Sequence, residues 1–175
     1  MTNKKLLKTV MAALFAALIC VATLAVRIPI PATQGYANLG DALVLLAAFF
    51  LGPLYGPAAA GIGSALADLF AGYAIYAPGT AAVKGLCALA AALLLRSLGN
   101  RLKWAHVPAA IVSEIVMVGG YFLYESTVLG YGMAALGSVP ANAIQGAVGA
   151  VAGVVLYQAL RKVPHIRRYF GEDGQ

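Results

Sequence analysis

The chain reads as continuous apolar runs separated by short polar or Pro- and Gly-rich breaks, and several runs approach the ~20 residues a helix needs to cross a bilayer. The first extends from Leu6 to Val26 behind Lys4, Lys5 and Lys8. Arg27 and Ile28-Pro29-Ile30-Pro31 end it, because proline cannot continue the hydrogen-bond ladder. A basic start before an apolar run also fits a secretory leader, but this run has spanning length and further spans follow, so it is expected to remain as the first helix. A second run, Leu39 to Leu51, is short. It gives roughly 20 Å of helix against a ~30 Å hydrocarbon core, so it dips partway or has its ends shielded by neighbours.

Gly52-Pro53 and Gly56-Pro57 bracket a tight turn, and a third helix runs from about Pro57 into the low seventies. Pro78, at a favourable first-turn position, opens a fourth helix that continues to Leu98. After the polar link from Asn100 to His106, a fifth helix covers Val107 to Thr127, and a sixth follows the Gly130–Gly137 loop from Pro140 to Leu160. Nothing alternates like the strands of a β-barrel. The pattern predicts an all-α membrane protein, a six-transmembrane-helix bundle over residues 1–163 with a basic, polar tail at 164–175.

Composition narrows the function classes. Of 175 residues 62% are hydrophobic and only 10% charged, with a mean hydropathy of +0.85. Soluble domains carry roughly 45–50% apolar and about 25% charged residues. A chain this short could not hide so much hydrocarbon in one globular core. Soluble enzyme, nucleic-acid binder and disordered tail are excluded.

The net charge of +6 matters through its placement. With six crossings, Lys4, Lys5, Lys8, Arg96, Arg101, Lys103, Arg161, Lys162, Arg167 and Arg168 share one side, leaving Arg27 and Lys84 toward the other. The basic side is cytoplasmic by the positive-inside rule, which puts both termini inside.

Charges within the spans each require a partner or a polar cavity. Asp41 opens the second predicted helix and either caps it or meets a ligand. Lys84 either snorkels to the outer headgroups or forms a structural ion pair with Asp68 on the preceding helix. Glu125 lies near enough to the outer surface to be solvated, and Glu114 lies deeper without an acid–base partner in sequence.

Near the outer mouth the polar residues gather. Asn38, Asp41, Tyr76, Lys84, Tyr121, Tyr124, Asn142 and Gln145 form the expected substrate contacts, with Tyr121/Tyr124 and Asn142/Gln145 spaced to share helix faces. Aromatic walls with a few amides and charges suit a small, flat, polar molecule. An aromatic belt at headgroup level accounts for any single Tyr, but not for the coincident amides and charges.

No HExxH, GxSxG, P-loop or paired-carboxylate motif is present, so neither catalysis nor a cofactor is expected. Cys20 and Cys87 stand alone as small core hydrophobes, and no metal site is expected. His106 and His165 fall in cytoplasmic segments and read as solvated. Ala12-x-x-x-Ala16 and Ala13-x-x-x-Ala17 place small residues in a stripe where another helix can approach, either inside the bundle or on a partner; Gly52/Gly56 and Gly149/Gly153 repeat the pattern.

Several blocks carry a family resemblance: Asn38-Leu39-Gly40-Asp41, Leu51-Gly52-Pro53-Leu54-Tyr55-Gly56, Gly61-Ile62-Gly63-Ser64-Ala65-Leu66-Ala67-Asp68-Leu69, Gly72-Tyr73-Ala74-Ile75-Tyr76-Ala77-Pro78 and Lys84-Gly85-Leu86. They resemble the riboflavin-type branch of the membrane-embedded substrate-binding (S) components of energy-coupling factor (ECF) vitamin transporters. The resemblance implies a prokaryotic plasma-membrane subunit that captures a vitamin or precursor from outside, in a pocket closed by the first and third outer loops. It implies a transmembrane coupling subunit and two cytoplasmic ATPases as partners, with toppling of the S component carrying the ligand inward. It also implies that an AxxxA stripe on the first helix docks on the coupling subunit, to which Ala12/Ala16 or Ala13/Ala17 correspond. Pyridoxine-, hydroxymethylpyrimidine- and riboflavin-like ligands fit these motifs alike. A self-sufficient ion-coupled carrier using Asp68, Lys84 or Glu114 as a proton relay, and a non-transporting scaffold, stand as alternatives from other classes.

Overall fold

A computed structural model describes residues 4–99 and 101–166. Most of the predicted basic tail, 167–175, lies outside the described residues, as does Asn100 of the polar link. Among the described residues five helices are long and apolar enough to cross a membrane: α1 (Lys4–Ala25), α2 (Asp41–Ala71), α3 (Ala77–Leu98), α4 (His106–Leu123) and α5 (Val139–Leu160). Between α1 and α2 lies an antiparallel hairpin of β1 (Arg27–Ile30) and β2 (Gly35–Asn38), with Arg27 opposite Asn38 and Ile30 opposite Gly35. The Pro-rich break after the first apolar run does not announce this hairpin. Pro29 sits in β1 of a ribbon with two open edges, where a missing N–H is tolerated.

The second and third predicted helices are joined in α2, and Gly52 breaks the element with φ 74° and ψ −170°, a conformation that favours glycine. The chain reverses there. A Cβ on Gly56 would lie 2.9 Å from Ala48 Cα and 3.0 Å from the Ala47 carbonyl oxygen, whereas eight residues of straight helix would separate them by roughly 12 Å. Phe49 and Phe50 stack on Tyr157 at one end of the bundle, at 5.0 and 5.2 Å between ring centroids. Asp41 and Asp68, near the two ends of α2, both lie at the opposite end, beside Lys84. Residues 41–51 reach only roughly 16 Å. This arm is buried along most of its length, so neighbouring helices cover it on every side.

The helices close a ring in which α2 packs on α1, α3 and α5, and α4 bridges α3 to α5. Ala and Gly permit the close approach. Cβ atoms on Gly149 and Gly153 would fall 2.6 Å from Asp41 Cβ and 2.8 Å from Leu45 Cδ1, so these glycines pack α5 against the first arm of α2. Gly63 does the same toward α1, where its Cβ would meet the Ala16 carbonyl oxygen at 2.4 Å. Gly63→Val should therefore force α1 outward and cost about 1–3 kcal/mol, read as a lower melting temperature in detergent. Gly119→Ala, with no heavy atom within 4 Å of its Cβ, should leave it unchanged.

The described cations divide between the two ends. Arg96 in the last turn of α3, Arg101 and Lys103 in the link, and Arg161 and Lys162 after α5 lie at the end where α2 reverses, as do Lys5 and Lys8 at the start of α1. Arg27 and Lys84 lie at the hairpin end.

Candidate functional site

At the hairpin end the bundle encloses a cavity with about 440 Å³ of unfilled space, counted with its opening to solvent. The cavity is walled by the hairpin, Thr23 near the end of α1, Ser64 and Asp68 on the second arm of α2, and the hairpin-end turns of α3, α4 and α5.

Lys84, on the second turn of α3, is the largest fully buried side chain and lies within the cavity wall. Its ammonium pairs with Asp41 Oδ1, and the other Asp41 oxygen accepts a hydrogen bond from Gln145 Nε2 at 2.5 Å. Two buried charges thus satisfy one another with an amide holding the remaining acceptor, the condition under which a buried pair is tolerated. Gln145 Oε1 accepts from the Asn38 backbone N–H at 2.8 Å, and Asn38 Oδ1 accepts from the Gly40 N–H at 2.9 Å. One network therefore ties the hairpin to α2, α3 and α5. Lys84 Nζ also sits 5.4 Å from the centroid of the Tyr121 ring, whose hydroxyl donates to Thr80 at 3.2 Å.

This arrangement corrects two expectations. The structural ion pair Asp68–Lys84 is not formed: Lys84 pairs with Asp41, and Asp68 instead accepts a 2.6 Å hydrogen bond from the Tyr36 hydroxyl on β2. Sequence spacing could not reveal this, because the reversal at Gly52 brings both ends of α2 to Lys84. Nor does Asp41 cap its helix, since Gly40 occupies the N-cap without a side-chain bond and the Asp41 carboxylate turns inward. Burial, and then the bond to Asp68, push the Tyr36 phenol well above its ordinary pKa, so it remains a donor at physiological pH.

Of the expected substrate contacts, Asn38, Tyr76, Lys84, Tyr121, Asn142 and Gln145 line the cavity. Asp41 stands behind Lys84 and positions it. Tyr124 is not among the lining residues: its hydroxyl donates to the Ile75 carbonyl at 2.7 Å, and its ring packs on Gly79 and Tyr76. The reason is local. From Tyr124 to Val128 the backbone widens into a π-helical turn, so the three-residue spacing from Tyr121 no longer keeps one face.

Glu125, expected to be solvated, is only 2% exposed and lines the cavity. Its Oε1 faces the Tyr76 hydroxyl at 3.2 Å, and its Oε2 accepts from Ser138. The Tyr76 hydroxyl has one hydrogen, and its shorter contact is to the Thr33 carbonyl in the hairpin turn at 2.5 Å. The sequence reading missed Tyr36, Thr80 and Ser64 as wall residues; Tyr36 in particular needed the unpredicted hairpin to reach the site.

The remaining polar outliers lie away from the cavity. Glu114 is buried on α4 beside Gly146, and its Oε2 has no partner. His106, read as solvated, is 2% exposed; it pairs with Gln158 at 2.9 Å and packs between Trp104 and Tyr157. Cys20 and Cys87 are buried free thiols, as the sequence implied. Among the described residues no group of three or more His, Cys, Asp or Glu side chains could hold a metal ion.

On the first helix the two small-residue stripes separate. Ala16 is buried against Gly63 and Ala12 is half-buried, so that pair serves the α1–α2 contact. Ala13 and Ala17 are exposed, beside the exposed Leu14 and Leu18.

Apolar helices of spanning length with an enclosed polar cavity at one end define a multi-pass membrane protein built to hold a small molecule. The model of the ECF-type riboflavin transporter S component matches residues 3–162, so the chain belongs to this family. It is the substrate-binding membrane subunit of an ECF-type vitamin-uptake system. The "uncharacterized protein in gap 3′ region" of Pyrococcus woesei is 37% identical over 138 residues, covering 79% of this chain and 88% of that protein. The thiamine precursor transporter HmpT of Lactococcus lactis subsp. cremoris (strain MG1363) is 31% identical over 157 residues, covering 89% of each. The solved S component of a bacterial ECF transporter superposes with a TM-score of 0.66 at 25% identity, covering 93% of this chain and 98% of that one. The S component for biotin from an ECF-type ABC transporter has the same fold, with a TM-score of 0.67 at 22% identity over 97% of this chain and 99% of that one.

Proposed function

We propose that this S component captures a small heterocyclic vitamin or precursor, of the pyridoxine, hydroxymethylpyrimidine or riboflavin kind, from the outer face of a prokaryotic plasma membrane. The observation that carries the reading is the cavity itself: it lies at the end of the bundle away from the clustered cations, which supports that end as the outer one. The reversal at Gly52 supports six crossings, with α2 contributing two, and hence cytoplasmic termini on both ends of the chain. Asn38, Tyr76, Lys84, Tyr121, Asn142 and Gln145 contact the ligand, Asp41 orients Lys84, and Tyr124 braces the outer loop.

Energy comes from two ATPases on separate chains, joined through a transmembrane coupling subunit. The exposed Ala13/Ala17 stripe is the docking face on α1; Ala12 and Ala16 are committed to internal packing. Purified protein should bind one member of a panel of B vitamins and precursors in the nanomolar range, and uptake in cells should require the ATPase module. Ala13→Leu with Ala17→Leu should leave that affinity within threefold while module association and uptake are lost. Uptake that persists without the module, or no ligand from the panel, would contradict the reading.

A further inference from the structure

Trp104, the one tryptophan of the chain, lies far from the cavity, in the link between α3 and α4, and is 63% exposed. Its ring stacks at 5.8 Å on His106, which packs at 5.4 Å on Tyr157 and pairs with Gln158 at 2.9 Å. This cluster brings the link against the last turn of α5. Arg101 and Lys103 on the link therefore meet Arg161 and Lys162 beyond α5 in one sector of the rim, and all four are exposed. Arg161 is held in place, its guanidinium carbon 5.9 Å from the centroid of the Tyr157 ring.

No carboxylate balances these charges. Among the described residues Asp41, Asp68 and Glu125 lie at the hairpin end and Glu114 is buried in α4, and none of them pairs with the four cations. Leu102, 50% exposed, stands between the two link cations. An excess of cations at one end is common to membrane proteins and sets their orientation. That excess does not by itself gather four unpaired cations around an exposed indole and a leucine. An indole settles at the level of the lipid headgroups, which puts the neighbouring cations at the height of the phosphates.

We infer that this sector of the rim binds an anionic phospholipid. Arg101, Lys103, Arg161 and Lys162 hold the headgroup phosphate, while Trp104 and Leu102 lie against the glycerol and the first acyl carbons. Arg161 gives up little freedom on binding, because Tyr157 already restrains it, and its planar guanidinium suits a phosphate. The site is independent of what the cavity binds.

Trp104 itself reports on the site. The full chain is reconstituted in phosphatidylcholine vesicles carrying a minor share of phosphatidylglycerol, with one lipid or the other supplied with brominated acyl chains, which quench an indole on contact. Brominated phosphatidylglycerol should quench about fivefold or more beyond its share of the bilayer, and brominated phosphatidylcholine should show no excess. Replacing Arg101, Lys103, Arg161 and Lys162 with glutamine should bring the two lipids within about twofold of each other. Lys5→Gln, at the same end but on α1, which packs on α2, should keep the native preference. Equal quenching by the two lipids in the native chain, or none by either, would overturn the assignment. So would a preference that survives loss of all four cations, or one that vanishes with Lys5→Gln, since either would make the attraction diffuse. The comparison of lipids uses the native chain, so it decides even where the fourfold variant fails to fold.

Discussion

Lys84→Met should lower the stability of the bundle by about 3–5 kcal/mol, because it strands the Asp41 carboxylate in the interior with only the Gln145 amide to hold it. For a chain of this size that is a fall of about 10 °C in melting temperature, measured in detergent by thermal unfolding. The double variant Asp41→Asn with Lys84→Met should recover much of the loss, since it removes both charges and keeps an amide for Gln145. The recovery is the discriminating result. If Lys84 merely snorkelled toward headgroups, the single variant would cost little and the double would add to it. An unchanged melting temperature for Lys84→Met would remove the pair from its place at the centre of the site.

The contrast between Asp41 and Asp68 shows which parts of the site were legible. That Lys84 needed either an acidic partner or a route to the headgroups followed from the cost of a charge within a span. Which acid it took depended on the chain reversing at Gly52, and on the unpaired length of residues 41–51 lying alongside α5 through Gly149 and Gly153. The Gly-Pro pairs announced that turn, so the breaks and apolar runs of the helices were readable from residue type alone. Asn142 and Gln145 both reach the cavity because α5 is regular helix there, and three-residue spacing keeps a face.

Tyr124 and Glu125 were misplaced for the converse reason. A π-helical turn begins at Tyr124, and no composition signal in Tyr-Glu-Ser-Thr-Val distinguishes it from ordinary helix. The hairpin was hidden by length: strands of four residues containing a proline carry too little alternation to register. Yet that hairpin brings Tyr36 to Asp68 and Thr33 to Tyr76, converting an open mouth into a cavity. The two stripes on α1 could not be ranked by spacing either. They are one residue apart, and only the packing partner Gly63 decides which faces inward.

Glu125→Ala should speed release of the bound ligand by about ten- to a hundredfold while changing the association rate little. The carboxylate is a hub for three segments that cover the cavity. Its Oε2 holds Ser138 from the loop before α5, and its Oε1 faces Tyr76 from the loop after α2. Tyr76 in turn donates to Thr33 in the hairpin turn. Tyr76 and Ser138 each share a single hydroxyl hydrogen between Glu125 and a backbone carbonyl, and a hydrogen bond to a carboxylate contributes about 1.5–3 kcal/mol, so removing Glu125 favours the open mouth by roughly a factor of ten or more. Tyr76 would keep Thr33 as acceptor and Ser138 would keep the Ala135 carbonyl at 2.9 Å, so the fold should survive. Encounter requires the mouth to be open in either protein, which is why the effect should fall on dissociation. Stopped-flow or filter-binding kinetics with the tightest-binding vitamin of the panel separates the two rates. Glu125→Gln, which retains an acceptor for one partner, should lie between alanine and the native residue. Identical dissociation rates across the three proteins would show that these loops do not gate the cavity through Glu125.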